Sequence, residues 1–287
     1  MSIVSMREIL ADAKAGGYAV GCFNSIDLAM ARGIIRAAEE EKAPVILCHA
    51  EVHFKYTPLD SIMPVLLEES DNAGIPVALL LDHGKDFNAI ARSLHLGMNS
   101  IMFDGSELDY EDNIAQTGEI VKIAHALDAS VEGEIGRVVR PVNSGADGCD
   151  DVSLADDTSL YTDPDQAADF VQKTGIDALA CAFGTVHGVY RKEPKLDFPR
   201  LKLIAKKTGV PVVMHGGSGL SAEDFHTAIA NGVTKINYYT NMALYVGSEI
   251  KRQIAQTDEP FYHNITVWAQ QAVYEDTRQA IRLFMGR

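Results

Sequence analysis

The sequence is short of cysteine and of long apolar runs, and each shortage excludes a class of protein. Its four cysteines form no C-x-x-C pair of the metal-binding kind, and three lie in apolar segments. That usage predicts reduced core thiols and a cytoplasmic protein. No window approaches about 18 consecutive apolar residues, so we expect no transmembrane helix. The first residues lack the basic and apolar regions of a secretory signal peptide.

Positive charge is also scarce. The chain has 25 Lys and Arg against 40 Asp and Glu, a formal net charge of −15. This balance argues against nucleic acid as a partner, and it means that an anionic substrate needs local help from a metal or from placed cations. The 287 residues are 47% hydrophobic, as in ordinary globular proteins. No linker or charge block marks a boundary, so we expect one domain over residues 1–287.

Short apolar segments alternate with amphipathic ones along the chain. Eight of them are typical of strands, and each precedes a helical pattern. The predicted strands are residues 19–25, 44–50, 77–83, 100–104, 130–136, 178–183, 211–215 and 235–240. Eight consecutive βα units in a chain of this length predict an α/β fold, the (β/α)8 TIM barrel. The alternative is an open doubly wound sheet, but no early G-x-G-x-x-G opens a βαβ unit.

Polar side chains gather where the predicted strands end. They are Asn24, Asp82, His83, Asp104, Glu132, Glu134, His187, His215 and residues 237–240. In a barrel the carboxyl ends of all strands meet at one face, which is where barrel enzymes do their chemistry. The sequence therefore predicts an active site at that face.

Three of these residues are histidines from three different strands, His83, His187 and His215. They can bind one divalent ion and leave positions open for a substrate. Asp82 suits proton transfer with a substrate hydroxyl, or else it orients His83. Asp104 and Glu134 could hold a second metal position, or they could support the ligands of the first.

The glycines after His187 and His215 lie in the segments HG and HGGS. Their backbone N–H groups can approach an anion closely, and with the ends of strands 7 and 8 they match the usual phosphate site of a barrel. A metal, a proton-transferring carboxylate and a phosphate site together predict carbon–carbon bond chemistry next to the carbonyl of a phosphorylated sugar.

Six segments resemble the class II, metal-dependent fructose/tagatose-bisphosphate aldolases: LLLDHGKDF, MFDGS, VEGEIG, FGTVHGVY, VMHGGSG and KINYYT. The match is in register over nearly the whole chain. The resemblance implies a zinc-dependent retro-aldol reaction without a lysine Schiff base. It implies that His83, His187 and His215 bind the catalytic Zn2+, with Asp82 as proton donor and acceptor. Asp104 and Glu134 would form a second metal position.

The same resemblance implies a pocket for the dihydroxyacetone-phosphate half of the substrate. Its residues would be Asn24, Gly188, Gly216, Gly217, Ser218, Asn237, Tyr238, Tyr239 and Thr240. Arg191 would assist the phosphate, or it is a solvated loop charge. The family also implies a homodimer or homotetramer, and in some members a monovalent cation near the phosphate.

Three departures from the family concern the far end of the substrate. Tyr239 stands where relatives have an acidic or small residue, and Ala243 where they often have a cation. Residues 48–53, CHAEVH, stand where relatives have a segment that contains a serine and small residues. Because a desolvated phosphate needs a cationic partner, we expect a ketose 1-phosphate whose aldehyde half carries no phosphate. The alternative is a fructose- or tagatose-1,6-bisphosphate aldolase proper.

A fourth departure lies after strand 5, where the family's loop glutamate is missing. Asp147, Asp150 or Asp151 could take its place in moving the C3 proton, and spacing does not choose among them. Arg137 and Arg140 could meet an anionic aldehyde, or they lie in water. Two further alternatives are a metal-dependent sugar-phosphate epimerase or isomerase, and a non-catalytic regulatory subunit. The retained histidines argue against the second.

Overall fold

Parallel strands form the centre of the molecule. The computed structural model describes residues 2–139, 157–188 and 194–287. Within these ranges eight parallel strands close into a barrel in sequence order, from β1 to β8 and back to β1. The strands are β1 Val20–Asn24, β2 Val45–Ala50, β3 Val77–Gly84, β4 Ser100–Phe103, β5 Ser130–Ile135, β6 Ala178–Cys181, β7 Val212–Met214 and β8 Val233–Tyr238. The predicted (β/α)8 barrel is confirmed.

Helices surround the barrel. They are α1 Met6–Gly16, α2 Leu28–Glu41, α3 Leu59–Asp71, α4 Phe87–His95, α5 Tyr110–Ala126, α6 Pro164–Thr174, α7 Phe198–Thr208, α8 Ala222–Ala230, α9 Thr240–Ile254 and α10 Tyr262–Phe284. Side-chain caps begin several of them: Ser5 and Ser221 form capping boxes, and Asp27, Asp163 and Asp197 accept from first-turn N–H groups. Such caps satisfy donors that a helix start leaves open. Among the described residues no helix has both the length and the apolar character needed to cross a membrane.

Most strand boundaries differ from the prediction by one or two residues, and the last strand is shifted at both ends. The expected strand 235–240 begins two residues earlier, at Val233, and ends at Tyr238. Thr240 instead begins α9. The turn that precedes the strand is Asn231-Gly232, where Gly232 has a φ of 114° that favours glycine. The start of α9 therefore lies directly at the carboxyl end of the barrel.

The barrel interior is apolar through its lower part. Side chains such as Ile46, Leu80 and Met102 fill it, and they pack against the apolar face of α1. Alternate residues of each strand point outward to a larger core beneath the surrounding helices. Because α1 covers the amino end of the barrel, access to the interior is from the carboxyl end. Three cysteines, Cys22, Cys48 and Cys181, are buried thiols, whereas Cys149 lies outside the described residues.

The helix α10 packs tightly on α2, and a glycine makes this approach possible. A Cβ on Gly33 would lie 2.7 Å from Val273 Cγ1 and 2.8 Å from the Gln270 carbonyl oxygen. A Cβ added to Gly118, in α5, would have no atom within 4 Å. Glu41 at the end of α2 also accepts from Arg278 and Arg282 of α10, at 2.7 and 2.8 Å.

We expect opposite effects from the same substitution at these two glycines. Gly33→Ala should lower the free energy of unfolding by about 1–3 kcal/mol, because the methyl group overpacks the α2–α10 contact. Gly118→Ala, the matched control, should raise it by up to about 1 kcal/mol through helix propensity. Urea unfolding of both variants measures this. Equal stabilities would contradict the tight packing of α2 on α10.

Candidate active site

A cavity of about 420 Å³ opens at the carboxyl end of the barrel. Most of the residues singled out in the sequence line it: Asn24, Asp82, His83, His187, Gly188, His215, Gly216, Ser218, Asn237, Tyr238, Tyr239 and Thr240. Gly217 is not on the wall, since a side chain there would meet Phe225 in the core. Asp104, Glu134 and Arg137 do not line it either, whereas Arg140, Asp147, Asp150, Asp151 and Arg191 lie outside the described residues.

The three histidines converge in this cavity. Their ring centroids lie 5.0 Å apart for His83 and His187, 4.7 Å for His83 and His215, and 5.7 Å for His187 and His215. One ring nitrogen from each lies within 4.8 Å of the others. Three nitrogens this close can share one divalent ion and leave its remaining positions to a substrate.

The backbone at the end of β3 is bent to present His83. The register between β3 and β4 shifts between Leu81 and Gly84, and His83 has a φ of 48°. A positive φ is strained for a residue other than glycine, and such strain is frequent at functional sites. Nδ1 of His83 donates to Asp104 at 2.9 Å, which leaves Nε2 for a ligand. Glu134 lies 3.9 Å from the same nitrogen.

His187 is placed by a short bridge between two loops. Val186 pairs with Val139, and the His187 N–H donates to the Val139 carbonyl at 2.9 Å. A Cβ on Gly216 would lie 2.4 Å from the Val186 carbonyl oxygen, and Gly216 has a φ of 71°. Only glycine allows the segment after His215 to pass this close to the segment that carries His187.

His215 gives the clearest sign that the residues fit a metal. Its Nε2 donates to Glu132 at 2.8 Å, with both side chains fully buried. Its Nδ1 is buried, and no residue in the described part of the chain hydrogen-bonds to it. A buried nitrogen left without a partner costs about 1–3 kcal/mol, and a metal ion would remove that cost. The carboxylate-bound tautomer directs the Nδ1 lone pair into the cluster.

The electrostatics of the cluster also suit a cation. Burial lowers the pKa of His83, but Asp82, Asp104 and Glu134 outweigh burial and raise that pKa to about 9. Burial and the neighbouring His83 and Lys235 lower the pKa of His215 well below its ordinary value. The carboxylates that would hold a proton on one imidazole would equally favour a divalent ion. His83, Asp104 and Glu134 also form a second group with metal-ligand spacing.

Asp82 is held from both sides by amides. Its Oδ2 accepts from Asn24 Nδ2 and its Oδ1 accepts from Asn237 Nδ2, both at 2.9 Å. Asn24 cannot turn over, because its own oxygen accepts from the Ala50 N–H at 2.9 Å. The carboxylate is buried and fixed, with lone pairs still open to the cavity. The two asparagines thus orient Asp82 as well as line the pocket.

The opposite side of the cavity suits an anion. Gly188 and Gly216 line it with left-handed backbone, at φ values of 79° and 71°. Ser218 accepts from the Asn241 N–H in the first turn of α9 at 3.3 Å. Glycine backbone and a helix start together offer N–H groups and a positive dipole end to a phosphate.

Sequence reasoning gave no role to several residues of the site. Glu132 was placed at the end of strand 5 without a role, and its partner His215 could not be foreseen. Lys235 is fully buried in β8, and its charge within an apolar strand was the available signal. Lys55 and Lys85 also line the cavity, from the loops after β2 and β3.

His53 is a further wall residue, at the end of the short 3-10 turn Glu51–His53. It is 6% exposed, its Nδ1 lies 3.1 Å from Asn24 Oδ1, and its ring centroid lies 4.7 Å from that of Tyr239. Burial, followed by the charge of His49, lowers the pKa of His53 to about 4 against the opposing effect of Asp82. The His53–Tyr239 pair is therefore an uncharged wall at neutral pH.

Comparisons with known proteins identify the family of this chain. The family model described as "Fructose-bisphosphate aldolase class-II" matches residues 4–287. The chain belongs to this family. Its resemblance to the class II aldolases is thereby confirmed, and so is its assignment as an aldehyde-lyase. Members of the family act on phosphorylated sugars and are in general zinc-dependent.

Curated relatives and solved structures are similar over nearly their full length. The probable fructose-bisphosphate aldolase of Bacillus subtilis (strain 168) is 38% identical over 265 residues, 91% of this chain and 90% of that protein. The fructose-bisphosphate aldolase of Staphylococcus aureus (strain Mu50) is 38% identical, over 91% of this chain and 89% of that protein. The crystal structure of the YdjI aldolase from Escherichia coli K12 has a TM-score of 0.84 and 34% identity, over 98% of this chain and 97% of that one.

The buried His53 predicts an acid-sensitive fold. Its folded-state pKa of about 4 lies below the ordinary 6.5, so the unfolded chain binds more protons between these values. Stability is therefore lost as pH falls through that interval, by up to roughly 3 kcal/mol. Between about pH 6.5 and about pH 4, the free energy of unfolding in urea should fall by this amount more for the wild type than for His53→Gln. The exposed His226→Gln is the control, and a parallel pH dependence of all three proteins would contradict the neutral wall.

Proposed function

We propose that this chain reversibly cleaves a ketose 1-phosphate to dihydroxyacetone phosphate and an aldehyde that carries no phosphate. The family assignment supplies the reaction type. The observation that supports an aldehyde without a phosphate is the uncharged His53–Tyr239 wall.

Three residues would hold the metal in this proposal, His83, His187 and His215, and Zn2+ is the ion we propose for them. A divalent ion at this position supplies Lewis acidity that polarises the C2 carbonyl. Asp104 and Glu134 hold the outer side of His83, and they could also serve a second metal position.

Asp82 is the residue that we propose moves the proton of the C4 hydroxyl. Its two oxygens are held by Asn24 and Asn237, so the remaining lone pairs point in fixed directions. The carboxylate takes the hydroxyl proton, the C3–C4 bond breaks, and C4 becomes the carbonyl carbon of the aldehyde. The pair of electrons from that bond stays on the dihydroxyacetone-phosphate half until C3 is protonated.

The 1-phosphate would lie on the glycine side of the cavity. Gly188, Gly216 and Ser218 line this side, and α9 begins beside it. Backbone N–H groups and the helix dipole offer an anion fixed partners without side-chain entropy. Tyr238, Tyr239 and Thr240 continue the wall toward the far end of the substrate.

The far end of the substrate would meet the His53–Tyr239 wall. A second phosphate there would lose its hydration against two uncharged rings, which is unfavourable without a cationic partner. The lysines and arginines of α9 lie in its last turn, away from the cavity. An uncharged polyhydroxy aldehyde can instead form hydrogen bonds with such a wall.

A second candidate is cleavage of fructose or tagatose 1,6-bisphosphate. The relatives that are 38% identical carry the name fructose-bisphosphate aldolase. Lys55 and Lys85 line the cavity and could meet a second phosphate, although Lys85 pairs with Glu107 at 2.6 Å. A homodimer or homotetramer, a cytoplasmic location and a monovalent cation near the phosphate stay predictions.

Steady-state cleavage distinguishes the two candidates. The kcat/KM for fructose 1-phosphate should exceed that for fructose 1,6-bisphosphate by about tenfold or more, since a difference of about 1.4 kcal/mol in transition-state binding suffices. Asp82→Asn is the control, and it should abolish the cleavage of both substrates. A higher kcat/KM for the bisphosphate, at about 10⁴ M⁻¹s⁻¹ or more, would overturn the monophosphate proposal.

A further inference from the structure

A lysine and a glutamate form an ion pair inside the barrel, directly beneath the candidate active site. Lys235 on β8 and Glu132 on β5 are both fully buried, and the lysine Nζ lies 2.8 Å from Glu132 Oε2. A buried pair gives little net stability, because desolvation of two charges offsets their attraction. The interior below them is filled by apolar side chains. The position of this pair therefore calls for a role other than stability.

Lys235 also makes a hydrogen bond to an asparagine of the site. Its Nζ donates to Asn237 Oδ1 at 2.6 Å. An ammonium group has donors and no acceptor, so it fixes which end of the amide faces it. The other end of the amide, Nδ2, then has to face Asp82, where it donates to Oδ1 at 2.9 Å. Without Lys235 the amide could turn over and oppose the carboxylate with its oxygen.

Glu132 connects this lysine to the metal cluster. One of its oxygens, Oε2, forms the ion pair with Lys235 Nζ at 2.8 Å, and the other, Oε1, accepts from His215 Nε2 at 2.8 Å. A continuous series of polar contacts thus runs from His215 through Glu132, Lys235 and Asn237 to Asp82; the Glu132–Lys235 contact is an ion pair and the others are hydrogen bonds. Burial lowers the pKa of Lys235, but Cys22, Glu132 and Asp82 outweigh burial and raise it, so the lysine stays charged.

We propose that Lys235 is a positioning residue that aims Asp82 at the reacting hydroxyl by fixing the orientation of Asn237. This inference rests on the proposed function insofar as Asp82 is the group that moves the C4 hydroxyl proton. On the other side of Asp82, the backbone N–H of Ala50 does the same for Asn24. The two asparagines then hold the two carboxylate oxygens by equal 2.9 Å bonds.

Two double variants separate positioning from charge pairing. Lys235→Met with Glu132→Gln removes both charges and the donor, while the new amide oxygen can still accept from His215. Lys235→Gln with Glu132→Gln is the matched control, equally uncharged but with an amide that can donate to Asn237. The two double variants differ in whether residue 235 can donate a hydrogen bond to Asn237, whereas the pair at positions 235 and 132 carries no charge in either.

Zinc content and the midpoint of thermal unfolding are measured for each variant. The kcat and KM for cleavage are measured with fructose 1-phosphate or fructose 1,6-bisphosphate, whichever the wild type cleaves faster. Hydrogen exchange of dihydroxyacetone phosphate with D2O is measured separately. Exchange reports the metal and phosphate side of the site, whereas cleavage also needs Asp82. A misplacement of about 1 Å in a catalytic group can lower a rate about 100-fold. We therefore expect the Met variant to lose about 100-fold in kcat, with KM, zinc content and exchange within about threefold of the wild type.

The control should lose about tenfold in kcat, because a glutamine amide holds Asn237 only part of the time. Wild-type cleavage by the Met variant would overturn the inference and leave Lys235 as the counter-ion of Glu132. Equal losses of cleavage and exchange would also overturn it. If the Met variant does not fold, the Gln control alone tests the inference: a loss in cleavage without a loss in exchange supports it, and equal losses overturn it. A wild-type protein that exchanges no hydrogen with dihydroxyacetone phosphate would instead contradict the proposed function.

Discussion

A carboxylate behind an imidazole is the interaction on which the rest of this site depends. Asp104 holds His83 and Glu132 holds His215, each through the ring nitrogen that faces away from the cluster. An imidazole so held keeps one tautomer and one ring orientation, and its second nitrogen is directed at a fixed point. The closed barrel brings these two rings and His187 to one rim, because its strands all end there. The left-handed backbone at His83 is strain, of about 1–3 kcal/mol, that this packing sustains.

The same principle extends to Asp82. Amides hold both of its oxygens, and each amide is in turn fixed by a donor behind it, the Ala50 N–H on one side and Lys235 on the other. The polar part of the barrel is confined to its carboxyl end, above an apolar interior that α1 closes from below. A rigid, dry base under a polar rim lets a few hydrogen bonds set the positions of groups that come from distant parts of the chain.

The sequence predicted those features that depend on local pattern. Alternating apolar strands and helices predicted the barrel, and polar residues at strand ends predicted the face where His83, His187 and His215 meet. Contacts between distant segments could not be foreseen. Glu132 was visible at the end of β5, but its hydrogen bond to His215 and its ion pair with Lys235 exist only because β5, β7 and β8 share one interior. Thr240 was placed in a strand because the apolar pattern runs on past Tyr238, where the chain turns into α9.

X-ray absorption at the zinc edge of the purified, zinc-loaded protein tests the central geometry most directly. Three imidazole nitrogens at about 2.0–2.1 Å, with oxygen completing the shell, are expected. That result would place one ion among His83, His187 and His215. A sulfur scatterer at about 2.3 Å would implicate a cavity cysteine such as Cys22 instead. Sulfur in the shell, or fewer than three imidazoles around the ion, would contradict the convergence of the three histidines on one metal.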